Sequence, residues 1–306
     1  MRQVVGIGEI VLDIVIKDGK PLAAVPGGST FNSMISLGRT AGKTLDDVSV
    51  KMLTQVGDDY VADLVLSFMK SNNVGAEYVR IMEKVQSNIS LALLDEKNNA
   101  HYEFFRDASA PVFKAAGDIS FSKGDIVLFG SSFAVNPSTR EQAREIIRKA
   151  HDAGAIVYYD INFRKSRIME LSEQKAIIEE NCRLSDIVRG SSEDLESLYG
   201  TSDAAYVYDN LMSPLCGNFI CTKGAKSTEV FSPSSRCSFD VDKLDSVVST
   251  IGAGDNFNAG FVFGLLRDGI LSADNLEWKA LVPIAHRFSA NVCRSLFNYV
   301  DESFQA

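Results

Sequence analysis

The chain has 306 residues, 45% of them hydrophobic and 23% charged, and it carries a formal net charge of −9. That balance belongs to a globular chain with a sizeable core, and it argues against nucleic acid or an anionic membrane surface as the main partner. Five cysteines without a C-x-x-C pair suggest neither a disulfide framework nor a zinc knuckle.

No apolar run approaches a membrane span, and the first residues lack an uninterrupted apolar segment with a cleavage site, so a cytoplasmic protein is expected. In chain order, "VVGIGE" reads as a strand, Ile10–Gly28 as a hairpin turning at Lys17–Lys20, and Phe31–Arg39 as a helix. "VKMLTQVG" is the next strand, Asp59–Ser71 a helix, and Gln86–Asp107 a second hairpin turning at Glu96–Asn99. "DIVLFG" follows as a strand, then a helix over Pro137–Ala153 with Ala143, Ile146, Ile147 and Ala150 on one stripe. The strand "AIVYYD", two further helices, the strand "NFICTKG" and two long C-terminal helices complete the pattern.

Strand and helix alternating in this way predict an α/β fold with a mostly parallel sheet covered on both faces. The two hairpins break the rhythm and predict a small separate β-sheet, a lid formed by residues 10–28 and 86–107. Residues 1–9, 29–85 and 108–306 would form the α/β domain.

Two glycine motifs and the histidines are set aside. "GRTAGKT", Gly38–Thr44, has Leu37 where a P-loop needs glycine, and a helix instead of a strand precedes it. "GIGEIV", Gly6–Val11, has Val11 at the third small position of the dinucleotide fingerprint, and a strand follows, which argues against a dehydrogenase. His101, His151 and His286 match no metal spacing.

"STIGAGDNFNAGF", Ser249–Phe261, carries the most chemistry. Gly252, Ala253 and Gly254 allow a tight turn into a helix expected over Asn256–Arg267, so backbone N–H groups face an anion at the positive end of the helix. Asp255 sits beside that cradle. A carboxylate that accepts a hydroxyl proton next to N–H groups that hold phosphoryl oxygens suits phosphoryl transfer.

That stretch resembles the C-terminal signature of the ribokinase/PfkB carbohydrate kinases. "GGSTFN" (Gly27–Asn32) with "TQVGDD" (Thr54–Asp59) resembles the N-terminal signature, and "DINFR" and "CTKGAKST" fall in the family's order. The resemblance spans nearly the whole chain. It implies a ribokinase-like three-layer α/β/α sandwich with a β-sheet lid, ATP and magnesium as phosphate donor, and a homodimer through the lid. It places the catalytic base on Asp255 and the anion hole on Gly252, Ala253 and Gly254. Asp13, Gly28 and Asn32 would bind sugar hydroxyls. Arg106 in "EFFRDASA", with Asn162 and Arg164 in "DINFR", would approach the sugar or the transferring phosphoryl group. Thr222, Lys223 and Gly224 would border the nucleotide, and Asn291 would line the adenine pocket.

The chain also departs from the family's pattern. Ser249 and Ile251 stand where aspartate and threonine are usual, which removes a carboxylate from a monovalent-cation site and predicts little dependence on potassium. The family's N-x-x-E motif falls on Ser191 and Asp194, so Asp194 would meet the metal through water, with Glu193 as the neighbouring candidate. The activity expected is ATP-dependent phosphorylation of a sugar hydroxyl, with fructose first, a sugar acid such as 2-keto-3-deoxygluconate second, and ribose or a nucleoside after them. A non-catalytic sugar- or nucleotide-binding protein is the competing class.

Overall fold

The structure, a computed structural model, describes residues 1–96, 100–165 and 169–306. Of the second hairpin's expected turn, residues 97–99 lie outside the described residues. The strands are β1 (Arg2–Ile7), β2 (Val11–Lys17), β3 (Lys20–Gly27), β4 (Val48–Gly57), β5 (Val74–Met82), β6 (Ile89–Leu94) and β7 (Ala100–Phe105). They continue as β8 (Ile126–Gly130), β9 (Ile156–Asp160), β10 (Ile187–Ser191), β11 (Asn218–Thr222), β12 (Ser227–Ser232) and β13 (Ser235–Asp240). The longer helices are α1 (Ser29–Arg39), α2 (Tyr60–Ser71), α3 (Pro137–Asp152), α4 (Leu171–Arg183), α5 (Ser192–Tyr199), α6 (Ala253–Arg267) and α7 (Trp278–Val292).

A nine-stranded sheet runs β13-β12-β11-β10-β9-β8-β1-β4-β5, parallel from β11 through β5, with β12 and β13 added antiparallel. Its central strands are apolar on both faces because helices cover both. Ile156 and Tyr158 of β9 pack in one core layer with residues of α1, α6 and α7. Val157 and Tyr159 pack in the other with residues of α3, α4 and α5. The predicted stripe of α3 is buried as expected, and Asn136 caps that helix by accepting from the Ser138 N–H, with Pro137 in its first turn.

The two hairpins form the expected second sheet, in the order β3-β2-β6-β7. They join through the parallel pair β2–β6, whose register sets Asp13 beside Ser90. In turn Ser90 lies opposite Phe104, and Ala92 opposite Tyr102, so these residues share one face of the lid.

Two helices start earlier than the sequence pattern indicates: α1 at Ser29 instead of Phe31, and α6 at Ala253 instead of Asn256. The reason is the same in both. Gly28 (φ 128°) and Gly252 (φ 77°) are the N-cap residues, and their positive φ turns the chain into the helix at once. The edge strands β5 and β13 were not expected from the sequence pattern; both are only partly buried, so their apolar signal is diluted.

Candidate active site

The carboxyl ends of β9, β10 and β11 converge with the N-termini of α1 and α6, the place where open α/β sheets bind ligands. Asp255, in the first turn of α6, is 9% exposed. Its two carboxylate oxygens accept from the Ser29 hydroxyl at 2.7 Å and from the Asn32 amide at 2.8 Å. Ser29 therefore does not cap α1, the ordinary role for serine in that position; its hydroxyl links Asp255 to the Asn162 amide, which donates to it at 2.7 Å. Burial pushes the Asp255 carboxyl up to about 6, against the opposing pull of the hydrogen bonds from Asn32 and Ser29.

The turn before Asp255 is clamped from several sides. Ser289 donates to the Ala253 carbonyl, Ser33 to the Asp255 carbonyl, and the Asn256 amide to the carbonyls of both Gly252 and Asn298. The Ala253 N–H is committed to the Thr250 carbonyl at 3.2 Å. The N–H groups of Gly252, Gly254 and Asp255 have no backbone acceptor among the described residues, as befits the open end of a helix. Those three N–H groups are open to an anion, whereas the Ala253 N–H is engaged within the turn.

Above this turn stands the lid. Asp13 is 8% exposed and accepts a short hydrogen bond from the Ser90 hydroxyl, and burial pushes its carboxyl up to about 6. A Cβ on Gly27 would fall 2.2 Å from Asp13 Oδ2, and one on Gly28 would fall 2.3 Å from the Glu9 carbonyl oxygen. Both glycines are therefore required by close approach, and Gly28 by its backbone conformation as well. Tyr102, absent from the motifs, belongs here too: burial raises its phenol to about 12, and the charges of Asp13 and Asp255 act in the same direction.

The structure brings Asp13, Gly28, Asn32, Asn162 and the Gly252–Asp255 turn together, whereas other predicted residues have partners of their own. Arg106 forms two hydrogen bonds with Glu9, at 2.7 and 2.9 Å. Arg164 is exposed and donates to the Phe163 carbonyl, but its charge acts on Tyr102, which keeps it beside the site. Lys223 pairs with Glu229 at 2.5 Å, the Thr222 hydroxyl accepts from Arg189, and Gly224 turns the chain at φ 58°. Asn291 accepts from the Asp301 N–H. Asp194 holds the Ser191 and Phe163 N–H groups, both at 2.7 Å, so it caps α5 and fixes the "DINFR" segment. Among the described residues, no cluster of three or more His, Cys, Asp or Glu side chains forms a metal site, and no helix is long and apolar enough to cross a membrane.

Comparison with known proteins gives the family and the fold. A model of the pfkB family carbohydrate kinases matches residues 1–296. The chain is similar to a fructokinase of Vibrio alginolyticus, 26% identical over 281 residues that make up 91% of this chain and 87% of that protein. It is also similar to an aminoimidazole riboside kinase of Salmonella typhimurium, 24% identical over 271 residues, which are 87% of this chain and 82% of the relative. Among solved structures, a Vibrio cholerae fructokinase with fructose, ADP and potassium ion bound shares the fold with a TM-score of 0.82. The identity there is 22%, covering 97% of this chain and 94% of the other.

Proposed function

Since the chain belongs to the pfkB family of carbohydrate kinases, we propose that it transfers the γ-phosphoryl group of ATP to a hydroxyl of a ketose, with fructose as the acceptor. The observation that carries this is the buried Asp255 carboxylate, aimed by Ser29 and Asn32 and placed beside a helix end with free N–H groups. Asp255 takes the proton of the attacking hydroxyl while that oxygen bonds to phosphorus and the bond to the ADP oxygen breaks. The N–H groups of Gly252, Gly254 and Asp255 hold the phosphoryl oxygens through the step.

Asp13 and Asn32 orient the acceptor. Asn32 Oδ1 is buried with no partner among the described residues, which suits an acceptor for a sugar hydroxyl. ATP lies along the β11–β12 turn at Thr222, Lys223 and Gly224, with Asn291 at the adenine end. Magnesium bound to the nucleotide phosphates would supply neutralising charge, and Asp194, or the exposed Glu193 in its place, would hold it through water. A ketose is favoured over a sugar acid because Arg106, one of two guanidiniums that would pair with a sugar carboxylate, is held by Glu9.

ADP release with magnesium and ATP across fructose, 2-keto-3-deoxygluconate, ribose and adenosine tests the assignment. The highest kcat/KM is expected for fructose. A higher value for 2-keto-3-deoxygluconate would replace the ketose with a sugar acid, and silence across the panel would favour a binding protein without turnover.

The pH dependence follows from the two raised carboxyls. Asp255 must be ionised to accept a proton and Asp13 to accept sugar hydroxyls, so kcat/KM should rise through about pH 6 and level off above it. On the acid side the slope should exceed one decade per pH unit, since two groups protonate together. Both folded values lie above the ordinary 3.8, so protonation favours the folded form, and these groups lower stability progressively as pH rises from 3.8 through about 6. The acid loss of activity is therefore expected without unfolding. A limb centred near pH 4 would show that neither group is the one titrating.

Potassium should matter little. The Ser249 hydroxyl accepts from the Ile251 N–H, and the Cys293 carbonyl accepts from the Val248 and Ser249 N–H groups, so polar groups of this loop bond to one another. Exchanging sodium for potassium is expected to change the rate by much less than about tenfold; a larger rise would contradict it. The lid's other face carries exposed apolar groups, Leu22 at 54% and Phe105 at 54%, which supports a homodimer through the lids. Sedimentation should give a dimer, and the Phe105→Glu variant a monomer.

A further inference from the structure

Arg189 belongs to none of the motifs, yet it lies against the catalytic turn. It is near the carboxyl end of β10 and 7% exposed, with Nη1 3.1 Å from Asp160 Oδ1 and Nη2 donating to Thr222 Oγ1 at 2.6 Å. Asp160 is its register partner on β9, and Thr222 ends the neighbouring β11. The other Asp160 oxygen accepts from the Asn258 amide at 2.7 Å, so the carboxylate that holds Arg189 is itself held by α6.

The guanidinium packs directly on Gly254. A Cβ at that glycine would fall 2.8 Å from Nη1, 2.9 Å from Nη2 and 3.2 Å from Cζ. Gly254 is not among the glycines with positive φ, so what its lack of a side chain provides is room for Arg189. Of the other cations expected there, Arg106 is paired with Glu9 and Lys223 with Glu229, while Arg164 is exposed and donates to the Phe163 carbonyl.

We propose that Arg189 is a positioning residue for phosphoryl transfer, a cation fixed by Asp160 and Thr222 that supplies positive charge beneath the turn where the phosphoryl oxygens gather. This rests on the kinase reaction and not on the identity of the sugar. A buried ion pair kept only for stability is readily replaced by neutral groups of similar size, whereas a charge used in the reaction is not. The charge also reaches the base. Besides burial and the hydrogen bonds from Asn32 and Ser29, Asp160 pushes the Asp255 carboxyl up and Arg189 pulls it down. Removing Arg189 alone leaves the Asp160 charge unopposed, and Asp255 becomes harder to ionise.

The test uses Arg189→Lys, Arg189→Met and the double variant Asp160→Asn/Arg189→Met. Two readouts are taken: ADP release against pH with the sugar the wild type prefers, and carbon-13 NMR titration of the Asp255 carboxyl, which needs no sugar. Arg189→Met should lose about 10²-fold in kcat with the acceptor KM little changed, and its Asp255 midpoint should move to higher pH. Arg189→Lys should return the midpoint toward the wild type and recover part of kcat. The double variant, with no buried charge left unpaired, should fold and return the midpoint while staying slow.

Wild-type kcat in the double variant, or an unmoved Asp255 midpoint in Arg189→Met, overturns the proposal. If Arg189→Met does not fold, kcat of the double variant decides. If the wild type turns over a sugar other than fructose, the fructose assignment alone fails; if it turns over none, the kinase reading fails and takes the role of Arg189 in transfer with it, while an unmoved Asp255 midpoint in Arg189→Met overturns the proposal in either case.

Discussion

Asp255→Asn is expected to lower turnover by about 10²- to 10⁴-fold, the usual scale for a lost general base, while the melting temperature holds or rises. The amide has the shape of the carboxylate and keeps an oxygen for Asn32, and the Ser29 hydroxyl can accept from the new amide. What disappears is the buried charge. The folded Asp255 carboxyl is raised from 3.8 to about 6, so its ionised form at pH 7 disfavours the fold by up to about 3 kcal/mol. The sign is fixed by the direction of the shift: the group favours the folded state below its unfolded value, and that advantage is lost as pH rises through about 6. Asparagine should therefore recover part of this cost, a trade of stability against activity of the kind found at active sites. Turnover near the wild-type level would remove Asp255 from the role of base. A lower melting temperature would mean that Ser29 and Asn32 need the carboxylate for structure.

The catalytic turn was legible in the sequence because its parts are adjacent. Glycines, aspartate and helix start fall within a few residues, and the chemistry depends on local backbone geometry. Asn32 and Asp13 were reachable through the resemblance of the signature around Gly27 and Gly28. Arg189 was not, because an arginine in the middle of a short strand gives no local signal. Its meaning comes from the parallel register that sets it beside Asp160, 29 residues earlier, and under Gly254, which only the assembled sheet defines. Arg106 has a partner that its motif does not show. Its motif pointed to the sugar, but Glu9, 97 residues away, takes its guanidinium with two hydrogen bonds. Lys223 likewise meets Glu229 across the β11–β12 turn, a pairing set by that hairpin's register. Ser29 was hidden by ambiguity, since serine before a helix is usually a cap. At Asp194 the carboxylate caps α5, so any contact with metal must add to that role.

Gly28→Ala is expected to damage fold and site together. Gly28 has φ 128°, a conformation that L residues rarely adopt, and such strain costs on the order of 1–3 kcal/mol. The added carbon would also meet the Glu9 carbonyl oxygen at 2.3 Å, and that backbone has no rotamer through which to retreat. One of the two segments must move. If Gly28 moves, α1 moves with it, because the Gly28 carbonyl accepts from the Asn32 N–H at 2.8 Å at the start of that helix. Ser29 and Asn32 then leave Asp255, and the base loses both groups that aim it. If Glu9 moves, its bonds to Arg106 and Asn88 shift, and the lid shifts with them. Either response should lower the melting temperature by roughly 5 °C or more and reduce kcat/KM by about 10²-fold or more. Gly200→Ala separates the two causes. Gly200 also has positive φ, 71°, at the end of α5, but nothing lies within 4 Å of an added Cβ. That variant should pay only the conformational cost of about 1 kcal/mol and keep its activity. Equal damage in both variants would mean that backbone strain alone acts at Gly28, and that the contact with Glu9 does not position Asp255.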